Sequence, residues 1–277
     1  MEDKDQSRGK IANRLYQYLE ERINCTNVMS YMDKYRDDDG SSNLTIESVP
    51  VASRIIEYVD SVDTKSGTIN KTTIDHTYDW YDFVSEANHT GFEYFPYIYG
   101  ILDCHNGPHS KVYILYEMFD GALIELFNQI TQPTEWYEIL FQIVMIHYYI
   151  SGVANQTYAK GSVNNHLYKK YKHPIKKQYT LGDYQFEIFH RNLIVGWDFE
   201  LGTENQIPSS TSIDLIITYF KEHGDSLPVK PTGRLMHLLY DIQKSPKDIP
   251  KILNQYYNAT APPPKVSTPE SPIEQSE

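Results

Sequence analysis

The sequence predicts an α+β fold of two lobes, with a strand-rich front third followed by a helix-rich remainder. Short runs rich in Val and Ile dominate the first part, and apolar residues recur at helical spacing in the second. No internal repeat is visible. The 277 residues are enough for one large domain or for two lobes that bury a proper core.

Residues 1–40 are predicted to form an amphipathic helix and an acidic linker. Apolar side chains recur every four residues from Ile11 to Ile23 among charged neighbours, so residues 10–24 should be helical. The apolar side of this helix needs a partner, which we expect to be the body of the same chain. Three aspartates followed by Gly and two Ser at 37–42 predict a turn or loop.

Residues 41–118 are predicted to form the smaller, strand-rich lobe. Val and Ile are frequent in residues 48–59, which predicts a strand. Residues 80–88 have the apolar spacing of a helix. Two further strands, 95–102 and 112–117, are joined by a turn that contains Asn-Gly-Pro.

Residues 119–258 are predicted to form the larger, helical lobe. An alternating stretch at 185–199 indicates a hairpin among the helices. The tail 259–277 is rich in Pro, Ser, Thr and Glu and has few apolar residues, which predicts disorder. Helical spacing is found at residues 122–129, 136–151, 212–222, 234–243 and 249–257.

The charge balance and the apolar pattern exclude two classes of partner. Lys and Arg number 25 against 37 Asp and Glu, a net charge of −12. Neutralising a phosphate backbone needs a basic face, so we expect no nucleic-acid partner. The longest apolar stretch, residues 139–150, is too short for a bilayer and contains Gln142 and His147, so we expect no membrane span.

The cysteines and the start of the chain indicate an intracellular protein. Cys25 and Cys104 alone cannot make a disulfide framework, which predicts a reducing compartment. Met1 is followed by charged residues and not by a secretion signal. The ten histidines show no zinc-type spacing, so no zinc site is expected.

An ordered series of motifs carries more specific information. The apolar strand 113–116 ends at Glu117 and Met118, and a polar link with Gly121 leads into a helix. This order resembles the protein-kinase-like proteins of large nucleocytoplasmic DNA viruses, over about residues 48–257. The later motifs of the series are the long helix 136–150, Asn165, the Tyr- and Lys-rich stretch 169–177, Asp198-Phe199, and Asp214 at the start of a helix.

The resemblance implies a two-lobed protein-kinase-like fold, with a small strand-rich N-lobe and a larger helical C-lobe. It places Glu117 and Met118 in the hinge that meets the adenine of ATP. It implies that Asn165 and Asp198 hold Mg²⁺ and that Asp214 has the structural role of bracing the catalytic loop.

Two catalytic positions depart from the family pattern. Lys160 stands five residues before Asn165, where the family has the aspartate that accepts a proton. A protonated ammonium offers no lone pair for that task. Glu200 follows Asp198-Phe199 where the family has glycine.

The predicted small lobe departs as well. Arg54 stands where the family has the lysine of Val-Ala-Ile-Lys, and a guanidinium is not equivalent to an ammonium. Its helix partner is either Glu86 or Asp82, and the spacing does not choose between them. No Gly-rich loop precedes Arg54, and the 11 residues 201–211 are too few for a usual activation segment.

These departures predict a catalytically inactive kinase-like protein, a viral pseudokinase, that acts as a protein-binding or assembly scaffold. No catalytic residue is intact, and no cofactor is expected, with Mg-ATP binding at most at low affinity. We expect virion or host proteins as partners and the host cytoplasm or the virion as location. The alternatives are an atypical Ser/Thr kinase with weak ATP-dependent phosphotransfer and a virion structural protein that retains the fold.

Overall fold

The computed structural model describes residues 4–32, 41–59, 71–106, 109–154, 157–160, 163–197, 200–202 and 212–257. Within these ranges the fold is mixed α+β, which confirms the predicted class at that level. The helices described are α1 Lys4–Arg22, α2 Cys25–Met32, α3 Lys71–His89, α4 Leu123–Phe127, α5 Glu135–Tyr148, α6 Ser212–His223, α7 Gly233–Lys244 and α8 Ile249–Tyr257. The strands described are β1 Ser41–Ile46, β2 Val49–Val59, β3 Ile98–Asn106, β4 His109–Glu117, β5 Gly121–Ala122, β6 Thr157–Lys160, β7 His166–Leu181, β8 Tyr184–Gly196 and β9 Glu200–Gly202.

Four antiparallel strands form the front sheet, in the order β1-β2-β4-β3. Successive side chains in a strand point to opposite faces of the sheet, and apolar side chains lie on both faces here. The inner face carries Ala52, Ile114 and Tyr116 and packs into the main core of the molecule. The outer face carries Tyr113 and Leu115 and belongs to a second apolar cluster.

Helix α1 covers the outer face of the front sheet. The predicted helix 10–24 is observed as Lys4–Arg22, with Leu15 and Leu19 buried against the sheet. Gly100 of β3 permits this approach, because a Cβ at that position would lie 3.3 Å from Leu19 Cδ1. The expectation that the apolar side of this helix packs on the body of the chain is therefore confirmed.

Helix α2 was not predicted from the sequence. The Asn24 side-chain oxygen accepts from the backbone N–H of Thr26 and of Asn27. In turn, Asn27 Oδ1 accepts from the Asn24 backbone N–H at 2.7 Å. This reciprocal cap satisfies backbone donors that a helix start otherwise leaves unpaired. It gives an eight-residue helix a defined beginning directly after α1.

The pairing of the two cysteines was not predicted from the sequence. Cys25 of α2 and Cys104 of β3 form a disulfide, with their Cα atoms 5.4 Å apart. They are 79 residues apart in sequence, and the packing of α2 near β3 brings them together. One disulfide is not a framework, but it opposes the inference of a reducing compartment.

The inner face of the front sheet packs on α3 and on the helical part of the chain. Helix α3 extends well before the predicted 80–88 and buries Trp80 and Val84. Strands β5, β7 and β8 form a second antiparallel sheet. The Tyr- and Lys-rich stretch 169–177, which the resemblance treats as an insertion, lies in β7 and pairs with β8.

Helix α5 lies in the centre of the helical part and is buried along nearly all of its length. It contacts β8 on one side and α6 and α7 on others, so packed elements enclose it on several sides. This packing explains why the apolar run 139–150 belongs to a core helix. Among the described residues, no helix is long and apolar enough to cross a membrane.

Candidate functional site

A buried cluster of charges lies at the end of β4. The Glu117 side chain is 4% exposed, and its Oε2 lies 2.6 Å from Arg8 Nη2. Arg8 Nε donates to both carboxylate oxygens, and Lys169 Nζ donates to Oε1 at 3.1 Å. The cluster therefore joins α1, β4 and β7 at one point.

The charges of the cluster stabilise one another. Burial alone would raise the pKa of Glu117, but Arg8 and Lys169 outweigh it and hold that pKa below its usual value. Burial alone would lower the pKa of Arg8, but the Glu117 carboxylate outweighs it and raises that pKa. A carboxylate whose two oxygens already accept from cations is an anchor and a poor acid or base.

Arg8 also binds backbone that leads into the front sheet. Its Nη1 donates to the Glu93 carbonyl at 3.1 Å, and its Nη2 lies 3.4 Å from the Phe95 carbonyl. The guanidinium carbon lies 4.9 Å from the centre of the Tyr97 ring. These contacts fix the first part of α1 on residues 93–97, next to Glu117.

An aromatic stack fills the inner side of the same strand end. Tyr116 and Trp197 stack with ring centres 4.1 Å apart, and both side chains are almost fully buried. Tyr81 of α3 lies 6.0 Å from the Trp197 ring. Helix α3, strand β4 and Trp197, the residue that follows β8, thus meet directly before Glu117 and Met118, which the resemblance assigns to the hinge.

Arg54 lies on the inner face, opposite Ile114 of β4. Glu86 and Asp82, the two helix partners considered for it, are exposed on α3. Among the described residues, no ion pair joins either carboxylate to Arg54. Helical spacing identified two acidic residues of α3, but the side of the helix that they occupy faces solvent.

Asn165 lies in a short 3₁₀ turn immediately before β7. Its carbonyl accepts from the Trp197 N–H at 2.8 Å. Asn165 is therefore next to the residue that precedes Asp198, while Asp198 itself lies outside the described residues. Met118 is half-buried against the main core, directly after Glu117.

Lys160 is the last residue of β6 and is paired in register with Glu200 of β9. The two departures from the family pattern therefore lie opposite each other on adjacent strands. The side chains of both residues lie outside the described part of the chain.

Asp214 lies in the first turn of α6 and links it to α7. Its Oδ1 accepts from Gln243 Nε2 at 2.6 Å. Its charge also acts on His147 of α5, whose pKa is lowered to about 4 by burial, an effect that Asp214 partly opposes. These contacts give Asp214 a role in positioning helices.

Two polar residues of α5 that were not predicted as site residues bind the outer edge of β8. Gln142 donates to the Asn192 carbonyl and accepts from the Ile194 N–H, each at 2.9 Å. Glu138 Oε2 accepts from the Arg191 N–H at 2.5 Å. Burial raises the pKa of Glu138 to about 7, although Arg191 acts to lower it. The sequence signal for Glu138 and Gln142 was that they are polar residues within an otherwise apolar helix.

Similarity to known proteins supports the giant-virus part of the resemblance. No model of a known protein family matches the chain. The uncharacterized protein R691 of Acanthamoeba polyphaga mimivirus is 41% identical over 273 residues, which cover 91% of this chain and 98% of that protein. The chain therefore belongs to the same family as this mimivirus protein.

Proposed function

We propose that the chain is a kinase-like protein without phosphotransfer activity that serves as a protein-binding or assembly scaffold. The order of elements supports the kinase-like fold. A four-stranded sheet with α3 on its inner face is followed by a short link, a long helix, the β6–β9 pair and the β7–β8 hairpin. Asn165 and Arg54 occupy positions in this order that agree with the family pattern.

The observation that carries the proposed inactivity is the stack of Tyr116 on Trp197. The two buried rings, 4.1 Å apart, fill the inner side of β4 directly before Glu117 and Met118, the predicted hinge residues, and so disfavour a nucleotide base there.

The disulfide favours the virion over the host cytoplasm as the location of the mature protein. Disulfides persist at virion surfaces and are rare in a cytosol that keeps thiols reduced. The relationship to a mimivirus protein agrees with this location. A virion location supports an assembly role, in which the partners are other proteins of the particle.

The position of Asn165 beside Trp197 supports one alternative, an atypical kinase that still binds a metal ion. Such an enzyme would need Asp198 to complete the site.

Thermal unfolding with and without Mg-ATP tests the proposal. A ligand stabilises by RT ln(1 + [L]/Kd), so a site with Kd near the ligand concentration contributes only about 0.4 kcal/mol. We expect little or no rise in Tm at millimolar Mg-ATP, and the same result for Asp198→Ala. A rise of several degrees in the wild type that Asp198→Ala abolishes would support the atypical kinase instead.

A further inference from the structure

Helices α1 and α2, residues 4–32, form a segment that we call the N-terminal clasp. It is bound to the front sheet near both of its ends and along its middle. Arg8 fixes one end in the Glu117 cluster. Leu15 and Leu19 pack along the middle. The disulfide from Cys25 to Cys104 fixes the other end to β3.

The clasp covers an apolar surface that the front sheet would otherwise expose. Val51, Tyr99, Tyr113 and Leu115 on the outer face are each at most 4% exposed and belong to the cluster that contains the clasp residues. Removing the clasp would expose these side chains together. Contiguous apolar surface of this kind marks protein-binding sites.

We propose that the Cys25–Cys104 bond is a redox latch that controls whether the clasp stays closed over this outer face. The latch itself does not depend on the kinase-like fold. Its use, which is to keep this apolar face covered until the bond is reduced, rests on the scaffold function proposed above.

The chemistry of opening is thiol–disulfide exchange with a dithiol reductant. A thiolate of the reductant attacks the Cys25 sulfur, because Cys25 is half-exposed whereas Cys104 is buried. The Cys104 sulfur leaves and takes up a proton. The second thiol of the reductant then displaces Cys25 as a thiol, and the reductant becomes a disulfide. The protein gains two electrons and two protons.

The length of the segment between Cys25 and β1 determines how strongly the disulfide lowers the population of the open clasp. Fifteen residues, 26–40, separate Cys25 from the first residue of β1. In the open state of an oxidised protein these residues are part of a closed loop, whose lost entropy disfavours opening. For a loop of about 15 residues, the bond lowers the open population on the order of 100-fold.

Limited trypsin digestion of the full chain measures this population. Arg14 and Arg22 are exposed on α1, yet they are cleaved only when the helix opens. With dithiothreitol, we expect cleavage at these sites to accelerate by a factor between about 10 and 100. Cleavage at Lys244 of α7 should not change.

Matched variants separate the latch from a general effect of the reductant. Cys25→Ser should be cleaved rapidly in both conditions, while Asn13→Ser, on the exposed side of α1, should keep the response of the wild type. Equal cleavage rates for oxidised and reduced wild type would overturn the proposal, as would two free thiols in protein exposed to oxidised glutathione. Hydrogen exchange of the α1 amides in wild type gives the same comparison without a variant.

A dye that binds apolar surface tests the covered face. Reduced wild type should bind more anilinonaphthalene sulfonate than oxidised wild type, and an equal signal would overturn control of this face by the bond. Phosphotransfer in either redox state would contradict the function proposed above and would leave the latch standing.

Discussion

Replacing Arg8 with Met should destabilise the protein by about 2–4 kcal/mol. Breaking a buried ion pair by removing one partner costs about 3–5 kcal/mol, because the remaining charge stays buried without compensation. Lys169 Nζ remains 3.1 Å from Glu117 and, being 38% exposed, compensates only in part. The carbonyls of Glu93 and Phe95 also lose a donor, which adds to the cost.

The matched control is the double variant Arg8→Met, Glu117→Leu. Replacing both partners of a buried pair by apolar residues is often neutral or stabilising, so the double variant should recover most of the loss. Urea unfolding of oxidised protein, followed by circular dichroism, gives the midpoint and the slope for each variant. A double variant as unstable as Arg8→Met, or a loss below about 1 kcal/mol for Arg8→Met, would refute the reasoning.

The same pair predicts a response to acid. The pKa of Glu117 is lower in the folded protein than in the unfolded chain, so its contribution is fully present above the unfolded value of about 4.3. That contribution is lost as the pH falls through the folded pKa. Below about pH 4.3 the wild type should therefore lose stability more steeply than Arg8→Met.

Two further predictions concern α5. Gln142→Leu should cost about 2–3 kcal/mol in urea unfolding, because it leaves the Asn192 carbonyl and the Ile194 N–H buried without a partner; a loss below about 1 kcal/mol would contradict this. Burial raises the pKa of Glu138 to about 7, so its neutral form favours the folded state and that contribution is lost as the pH rises through about 7. That contribution is fully present only below the unfolded value of about 4.3, so Glu138→Gln should be about 1–3 kcal/mol more stable than wild type at pH 8 and about equal at pH 4. An equal Tm at pH 8 would contradict this.

The sequence predicts those elements whose signal is local. Apolar spacing locates α1 and α5, and the predicted Asn-Gly-Pro turn falls between β3 and β4, where residues 107 and 108 lie outside the described part of the chain. The alternating stretch 185–199, predicted as a hairpin, contains the single strand β8, and its partner in the hairpin is β7. Helix α2 was missed because its start depends on a polar cap and its apolar spacing is too short to detect.

The site could be predicted only in part, because its main contacts join distant parts of the chain. Arg8 and Glu117 are 109 residues apart, and nothing near Arg8 in sequence distinguishes it from other surface arginines. Glu117 was identified through its place at a strand end, but its partners were not. Glu86 and Asp82 were considered for Arg54 on spacing alone, and spacing does not determine which side of α3 faces the sheet.

Phosphate incorporation from radiolabelled ATP tests the central claim most directly. Positioning and charge stabilisation carry phosphoryl transfer, so Lys160→Asp, which restores a proton acceptor, should not restore activity on its own. We expect no incorporation into the protein itself or into generic protein substrates by wild type, Lys160→Asp or Asp198→Ala. Incorporation by wild type that disappears in Asp198→Ala would show that this site transfers phosphate and would contradict the inactive-scaffold function.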